Sequence, residues 1–149
     1  MEGSRRRIAI ACDHAGYELK EKVKEYLTEN QYDVKDFGTN GPDSVDYPDM
    51  VHPLGKAIDE GEFERGIVIC GTGNGVQMTV NKYKNVRCAL CWIPEIAELA
   101  RQHNNANILA MPARFISQEL ALRIVEKYLN TAFEGGRHLR RVEKINQTL

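Results

Sequence analysis

The sequence predicts an α/β fold: a three-layer α/β/α, Rossmann-like arrangement around a five-stranded parallel sheet, with one extra helix at the C-terminus. Three observations predict it. Apolar strand-like runs alternate with helical patterns along the whole chain. The 149 residues match one ordinary domain, and 42% apolar content is enough for its core. Polar residues gather just after the strand-like runs, where open parallel sheets bind their ligands.

The elements can be justified in order. Residues 7–12 read as a strand, and 17–29 as a helix with Leu19, Val23, Tyr26 and Leu27 on one face. A short strand over 32–37 leads into a loop from Gly38 to Tyr47. Pro48 suits the start of a helix to about residue 60. The run Gly66-Ile67-Val68-Ile69 reads as a buried strand ending at Cys70, followed by glycines and a helix from 75 to about 83. Residues 86–91 read as a strand. Pro94 opens a helix to about 103, and 107–111 form the fifth strand. Ser117 caps a helix that turns Leu120, Ile124, Val125, Tyr128 and Leu129 inward. A last helix spans 138–147, after Gly135-Gly136. Such alternation implies parallel strands with helices on both faces. The whole chain, 1–149, reads as a single domain, with residues 1–6 outside its packed part and Gly3-Ser4 of the kind left by cloning.

Bulk properties exclude several classes. A net charge of −1 provides no global field for nucleic acid or membrane. No apolar stretch approaches the roughly 18 residues of a membrane span. The charged N-terminus lacks the apolar core of a signal peptide, so a cytoplasmic protein is expected. Cysteines 12, 70, 88 and 91 are then expected as free thiols. Cys88 and Cys91 have redox-motif spacing, but three residues apart on a strand they face opposite sides. The histidines at 14, 52, 103 and 138 show no metal-ligand spacing, and neither metal nor cofactor is expected. Asn146-Gln147-Thr148 matches a glycosylation sequon without meaning in the cytoplasm.

The most informative segment is Cys70-Gly71-Thr72-Gly73-Asn74-Gly75. A strand delivers one thiol to the sheet rim, and a glycine loop leaves backbone N–H groups bare for an anion. The same environment favours the reactive thiolate. A phosphatase loop needs Arg where Val76 stands. A P-loop needs Gly-Lys-Ser/Thr, and the dinucleotide fingerprint needs two residues where only Asn74 separates Gly73 from Gly75. A tight turn with a buried structural cysteine fits the same pattern. By the strand-end rule, Asp13 and His14, Cys70 and its loop, and Arg114 all fall on one rim.

Taken in order, the motifs resemble the type-B ribose-5-phosphate isomerases, in the family that also holds isomerases for allose and galactose 6-phosphates. The matching pieces are Cys12-Asp13-His14-Ala15-Gly16, Asp46-Tyr47-Pro48, Ile69-Cys70-Gly71-Thr72-Gly73, Asn81-Lys82, Arg101-Gln102-His103-Asn104 and Glu134-Gly135-Gly136-Arg137-His138. Asn74 and the following Val76-Gln77-Met78-Thr79 depart from the aliphatic residue and Ser-Ile-Ala-Ala-like run of many members.

The resemblance implies aldose–ketose isomerisation of ribose 5-phosphate and ribulose 5-phosphate, a step of the pentose phosphate pathway, through an enediolate and without metal. It implies Cys70 as the base, where one branch of the family uses a Glu that this loop lacks. It implies Thr72 and the N–H groups of Gly71, Gly73, Asn74 and Gly75 as the enediolate cradle. His103 would be the ring-opening acid and Asp13 the group on a sugar hydroxyl, with Tyr47 and Asn104 as further sugar contacts. His14, Arg114, Arg137 and Arg141 would hold the phosphate. Pattern alone also fits a helix cap for Asp13 and Thr72, a core position for His103 with Ile96, Leu99 and Ala100, and a solvated basic face for Arg137 and Arg141. The resemblance further implies a homodimer, with tetramers open, whose C-terminal segment reaches the partner's site. Two other readings remain at this point: an isomerase for a six-carbon sugar phosphate, and a non-catalytic flavodoxin-like binding module.

Overall fold

The computed structural model describes residues 6–147, so the expectations for residues 1–5 and for Thr148 lie outside the described residues. In chain order the elements are β1 (Arg6–Cys12), α1 (Tyr17–Glu29), β2 (Tyr32–Asp36), α2 (Tyr47–Asp59), β3 (Gly66–Cys70), α3 (Asn74–Val80), β4 (Cys88–Leu90), α4 (Pro94–Asn104), β5 (Ile108–Pro112), α5 (Gln118–Asn130) and α6 (Arg137–Lys144). The five strands form one sheet in the order β2-β1-β3-β5-β4, parallel throughout.

Strand alternation sorts the apolar residues into two cores, one on each face. Ile8 and Ile10 of β1, Ile67 and Ile69 of β3, and Leu109 and Met111 of β5 pack with α1, α4 and α5. Ala9, Ala11, Val68, Cys70, Ile108 and Ala110 pack on the other side with α2 and α3. Cys70, the last residue of β3, therefore turns its side chain toward the α2/α3 layer. Cys88 and Cys91 fall in opposite cores, as strand geometry requires. Burial pushes the Cys91 thiol up to about 12 and raises Cys88 well above the ordinary range, so neither is a ready thiolate.

Two of the boundary differences from the sequence expectation share a cause. Helix α3 ends at Val80 rather than near residue 83, and β4 is only three residues long. Asn81 folds back onto the exposed edge of β4. Its Oδ1 accepts from the Cys88 N–H at 2.8 Å and its Nδ2 donates to the Cys88 carbonyl at 3.1 Å. A side-chain amide thus replaces a strand neighbour, and the chain leaves the helix to make that pairing. The C-terminal helix also starts one residue earlier than expected and ends at Lys144.

Beyond β2 the loop is held by a buried cation. Lys20 of α1 is fully buried, and its Nζ donates to both Asp36 oxygens at 2.9 and 2.7 Å and to the Thr39 carbonyl at 2.6 Å. Asp36 also accepts from Lys24 Nζ and from the Gly38 N–H, each at 2.8 Å. Burial acts to raise the Asp36 carboxyl, but the bonds from Lys20, Lys24 and Gly38 outweigh it and hold the group below its ordinary value. The folded state therefore binds fewer protons than the unfolded chain. The resulting stabilisation is fully present above the unfolded carboxylate value of about 3.9 and is lost as pH falls through the lower folded value. Asp36→Asn removes the carboxylate bonded to Lys20 and leaves the buried ammonium only the more distant Glu21, at 3.6 Å. It is expected to cost about 3–5 kcal/mol at neutral pH, the typical cost of removing one member of a buried ion pair. Thermal unfolding as a function of pH checks this, with the variant showing a shallower acid limb.

Candidate active site

Strand β3 ends at the rim where β1 and β5 also end, and short backbone bonds knit the three exits together. The Asp13 N–H donates to the Ile69 carbonyl at 3.2 Å, the Ala113 N–H to Cys70 at 2.9 Å and the Arg114 N–H to Gly71 at 3.0 Å. The loop after Cys70 must reverse within three residues. Gly73 makes this possible with φ 76°, a left-handed conformation open to glycine. The turn aims the Gly73 N–H back at the Cys70 Sγ, at 3.2 Å. Such a donor binds sulfur more strongly when the sulfur is charged. The Thr72 Oγ1 accepts from the Asn74 N–H at 3.2 Å in a local turn, while the N-cap position of α3 itself falls to Gly73.

Asp13, His14, Tyr47, Cys70, Gly71, Thr72, Gly75 and Arg114 line one open cleft of about 300 Å³. Asp13 is buried and caps the single turn His14–Gly16, with Oδ1 accepting from the N–H groups of Ala15 at 3.0 Å and Gly16 at 3.2 Å. Both bonds land on Oδ1, so the cap leaves the geometry of Oδ2 to other partners. The Val45 N–H donates to His14 Nδ1 at 3.2 Å. Nδ1 is thereby the acceptor, and the ring presents Nε2–H as a donor. Two glycines admit large neighbours. A Cβ at Gly71 would stand 3.1 Å from the Arg114 guanidinium, and one at Gly75 would collide with the Tyr47 ring at 2.5 Å. These positions let the cation and the phenol close onto the loop.

The remaining candidates lie elsewhere in the same chain. In a parallel sheet each helix returns from the carboxyl rim to the amino rim. Helix α4 has 11 residues, a length of about 16 Å. Its end is fixed at the amino edge, where the Asn107 N–H donates to Arg87 and the Gly66 N–H donates to Asn107. His103 and Asn104 sit in the last turn of α4 and are therefore roughly a strand length from Cys70. Asn104 lines a cavity of about 450 Å³ with Asn81, Arg87 and Ile145, at the foot of the sheet. Arg137 and Arg141 lie on α6, which packs beside the same end of α4. One chain thus does not join His103, Asn104, Arg137 and Arg141 to the Cys70 cleft. The strand-end rule says where loops after strands go, and these residues are not in such loops.

That second cluster has a geometry the sequence did not suggest. The His103 and His138 rings stack with centroids 4.3 Å apart and planes 12° from parallel. His138 Nε2 is 3.4 Å from Glu134 Oε1. Desolvation, then the charges of His103 and Arg137, hold the His138 imidazole below its ordinary value despite Glu134. The histidines show no metal-ligand spacing along the chain, yet the ligand atoms of His103, Glu134 and His138 all lie within 4.8 Å of one another. Spacing along the chain could reveal only the Glu134 and His138 pair, at i and i+4. His103 joins them through tertiary packing.

Comparison with known proteins places this geometry. A family model described as Ribose/Galactose Isomerase matches residues 8–145. The chain belongs to that family. As a member it is an aldose–ketose isomerase. It is 41% identical over 140 residues to ribose-5-phosphate isomerase B of Escherichia coli, covering 94% of each chain. A solved ribose 5-phosphate isomerase from Thermotoga maritima superposes with a TM-score of 0.94 at 50% identity, covering 97% of this chain and 100% of that one. The Mycoplasma genitalium ribose-5-phosphate isomerase B, solved with bound ribulose 5-phosphate, gives a TM-score of 0.91 at 43% identity, with 95% and 94% covered. The sugar-phosphate isomerase fold is thus shared over nearly the whole chain, and no helix among the described residues is long and apolar enough to cross a membrane.

The cysteines differ in a way that can be measured. Burial pushes Cys12 up to about 12 against the pull of Lys20, and raises Cys88 and Cys91 as described above. Cys70 alone of the four lines the cleft. Limiting iodoacetamide at neutral pH is expected to label Cys70 first, and a sugar phosphate in the cleft should slow that labelling. Peptide mass mapping reads the result, and equal labelling of Cys12 would contradict the assignment.

Proposed function

We propose that this isomerase interconverts ribose 5-phosphate and ribulose 5-phosphate in the cytoplasm, as a step of the pentose phosphate pathway, with Cys70 as the carbon base and no metal. The observation that carries the reading is the cleft in which the Cys70 sulfur accepts the Gly73 N–H beside Asp13, His14, Tyr47, Thr72 and Arg114. The relative solved with ribulose 5-phosphate supports the choice of sugar.

The proton balance is simple. From the open-chain aldose, the Cys70 thiolate takes the C2 proton and a cis-enediolate forms. The thiol returns that proton to C1, while the O2 hydroxyl proton passes to O1. The growing charge on oxygen is met by the loop N–H groups of Gly71, Gly73, Asn74 and Gly75 and by the Thr72 hydroxyl, preorganised donors that need no rearrangement during reaction. Asp13 Oδ2 serves a sugar hydroxyl. Tyr47, held against Gly75, adds a sugar contact, and Asn104 adds another from across the subunit interface. His14, through Nε2–H, and Arg114 bind phosphate, the arginine by its two-pronged fork.

Ring opening needs an acid, which we assign to His103, and further phosphate charge is assigned to Arg137 and Arg141. These residues stand at the amino edge of the sheet, so the reading requires a homodimer in which that edge of one subunit meets the Cys70 cleft of the other. The separation of the two clusters within one chain supports this arrangement, and two-fold symmetry then builds two equivalent sites.

Three outcomes test the proposal. Cys70→Ala is expected to lower kcat for ribulose 5-phosphate formation by at least about 10²-fold while leaving KM nearly unchanged, because a base acts in the transition state. A near-normal kcat would remove Cys70 from the mechanism. EDTA is expected to leave activity unchanged, and a loss restored by zinc or magnesium would refute the metal-free route. Shared sites predict rescue between subunits. When Cys70→Ala and Arg137→Ala chains are refolded together in equal amounts, about half the dimers are mixed, and roughly a quarter of all sites carry both native residues. No rescue, with mixed dimers demonstrated, would place Arg137 in its own subunit's site.

A further inference from the structure

We propose that His103, Glu134 and His138 form a binding site for a divalent transition-metal ion of the zinc class, and that the bound ion inhibits the isomerase. The inhibition rests on the assignment of His103 as the ring-opening acid; the site itself does not. Two imidazoles and one carboxylate are a donor set suited to zinc, and three protein ligands leave a fourth position for water or an anion.

The ligand atoms are gathered, but the His103 and His138 rings stack 12° from parallel, so one imidazole must turn before both in-plane lone pairs meet an ion. The three ligand atoms lie within 4.8 Å of one another, and the His138 Nε2 to Glu134 Oε1 distance is already 3.4 Å. Ligands about 2.0–2.2 Å from a tetrahedral zinc stand roughly 3.3–3.5 Å apart. Turning the half-buried His103 ring out of the stack, with rotation of the exposed Glu134 side chain, brings the three ligand atoms onto one ion. His138 is buried and needs no new freedom.

The backbone beneath these side chains is tied down. The Glu134 N–H donates to the Gln102 carbonyl at 3.1 Å, which fastens the segment between α5 and α6 to the last turn of α4. Gly135 and Gly136 take φ values of 68° and 55°, and this double left-handed turn brings Glu134 back toward His138. The His138 N–H then donates to the Gly135 carbonyl at 3.0 Å. Three ligands from three segments are thus fixed on one scaffold.

Charge acts in both directions. Glu134 supplies a negative ligand, and His103 lies at the carbonyl end of α4, which favours a cation. Arg137 and Arg141 oppose one. Bond formation to two nitrogen lone pairs and a carboxylate is what overcomes the opposing arginines. A metal on the ring nitrogen of His103 takes the place of the proton that nitrogen would donate. The acid is lost without any change in Cys70.

Cobalt(II) titration of the untagged, EDTA-treated full-length protein tests the site independently of catalysis. One cobalt per chain is expected, with visible bands of a four-coordinate nitrogen and oxygen site that zinc bleaches. Glu134→Gln and His138→Asn should each weaken uptake at least about tenfold. Glu134→Gln should retain the metal-free activity and need at least about tenfold more zinc for half-inhibition. No uptake, uptake unchanged in both variants, or a near-ultraviolet thiolate band would overturn the site. Full cobalt and zinc uptake with undiminished turnover would instead overturn the inhibition and, with it, the acid role of His103, while the site stands.

Discussion

The site depends on where β3 stops. That strand is buried along its whole length and carries Cys70 to the rim as its last residue. The chain can turn there only because Gly73 has no side chain. A Cβ at that position would collide with the Leu90 side chain and stand 3.2 Å from the Met111 carbonyl carbon. The same turn directs the Gly73 N–H to the sulfur, so the constraint that ends the strand also gives the thiol a hydrogen-bond donor. The exits of β1 and β5 are bonded to Ile69, Cys70 and Gly71, which brings Asp13 and Arg114 to the same place. Moving the end of β3 by one residue would turn Cys70 to the opposite core.

A parallel sheet has two unlike edges, and this protein gathers polar groups at both. The carboxyl edge holds the thiol, its N–H donors and the Arg114 guanidinium. The amino edge holds the stacked histidines, Glu134 and the basic face of α6. The helices that return the chain between strands produce this division, because each carries its last residues away from the rim where it began. A reaction that needs both sets requires the amino edge of another subunit. Under the proposed reaction, assembly is then part of the catalytic design.

Order in the loop between β2 and α2 has a different origin. With little secondary structure to hold it, the segment is anchored by the buried Lys20 ammonium and the Asp36 carboxylate. The Thr39 N–H completes the anchor on the Cys12 carbonyl at 2.8 Å. Further along the same loop, the Val45 N–H sets the His14 tautomer. The charges alone appear in the sequence as ordinary surface residues of a helix and a strand.

The alternation of apolar runs was enough to read the five strands, their parallel sense and the two-sided core, because strand and helix periods leave different marks on a chain. It was also enough to bring Asp13, His14, Cys70 and Arg114 to one rim, since each follows a strand directly. The limits were local and physical. Asn81 ended α3 early to serve the β4 edge, a side-chain pairing that propensity does not encode. Lys20 sat on a helix where its burial depended on Asp36, many residues away. His103 matched a core pattern in sequence, but its place was set by the length of α4, which carried it to the far edge of the sheet. Its neighbours Glu134 and His138 arrived there through the double glycine turn. What the sequence determined by itself were the features tied to chain direction and short-range period. The tertiary structure alone decided which distant polar groups meet, because those meetings depend on how whole elements pack.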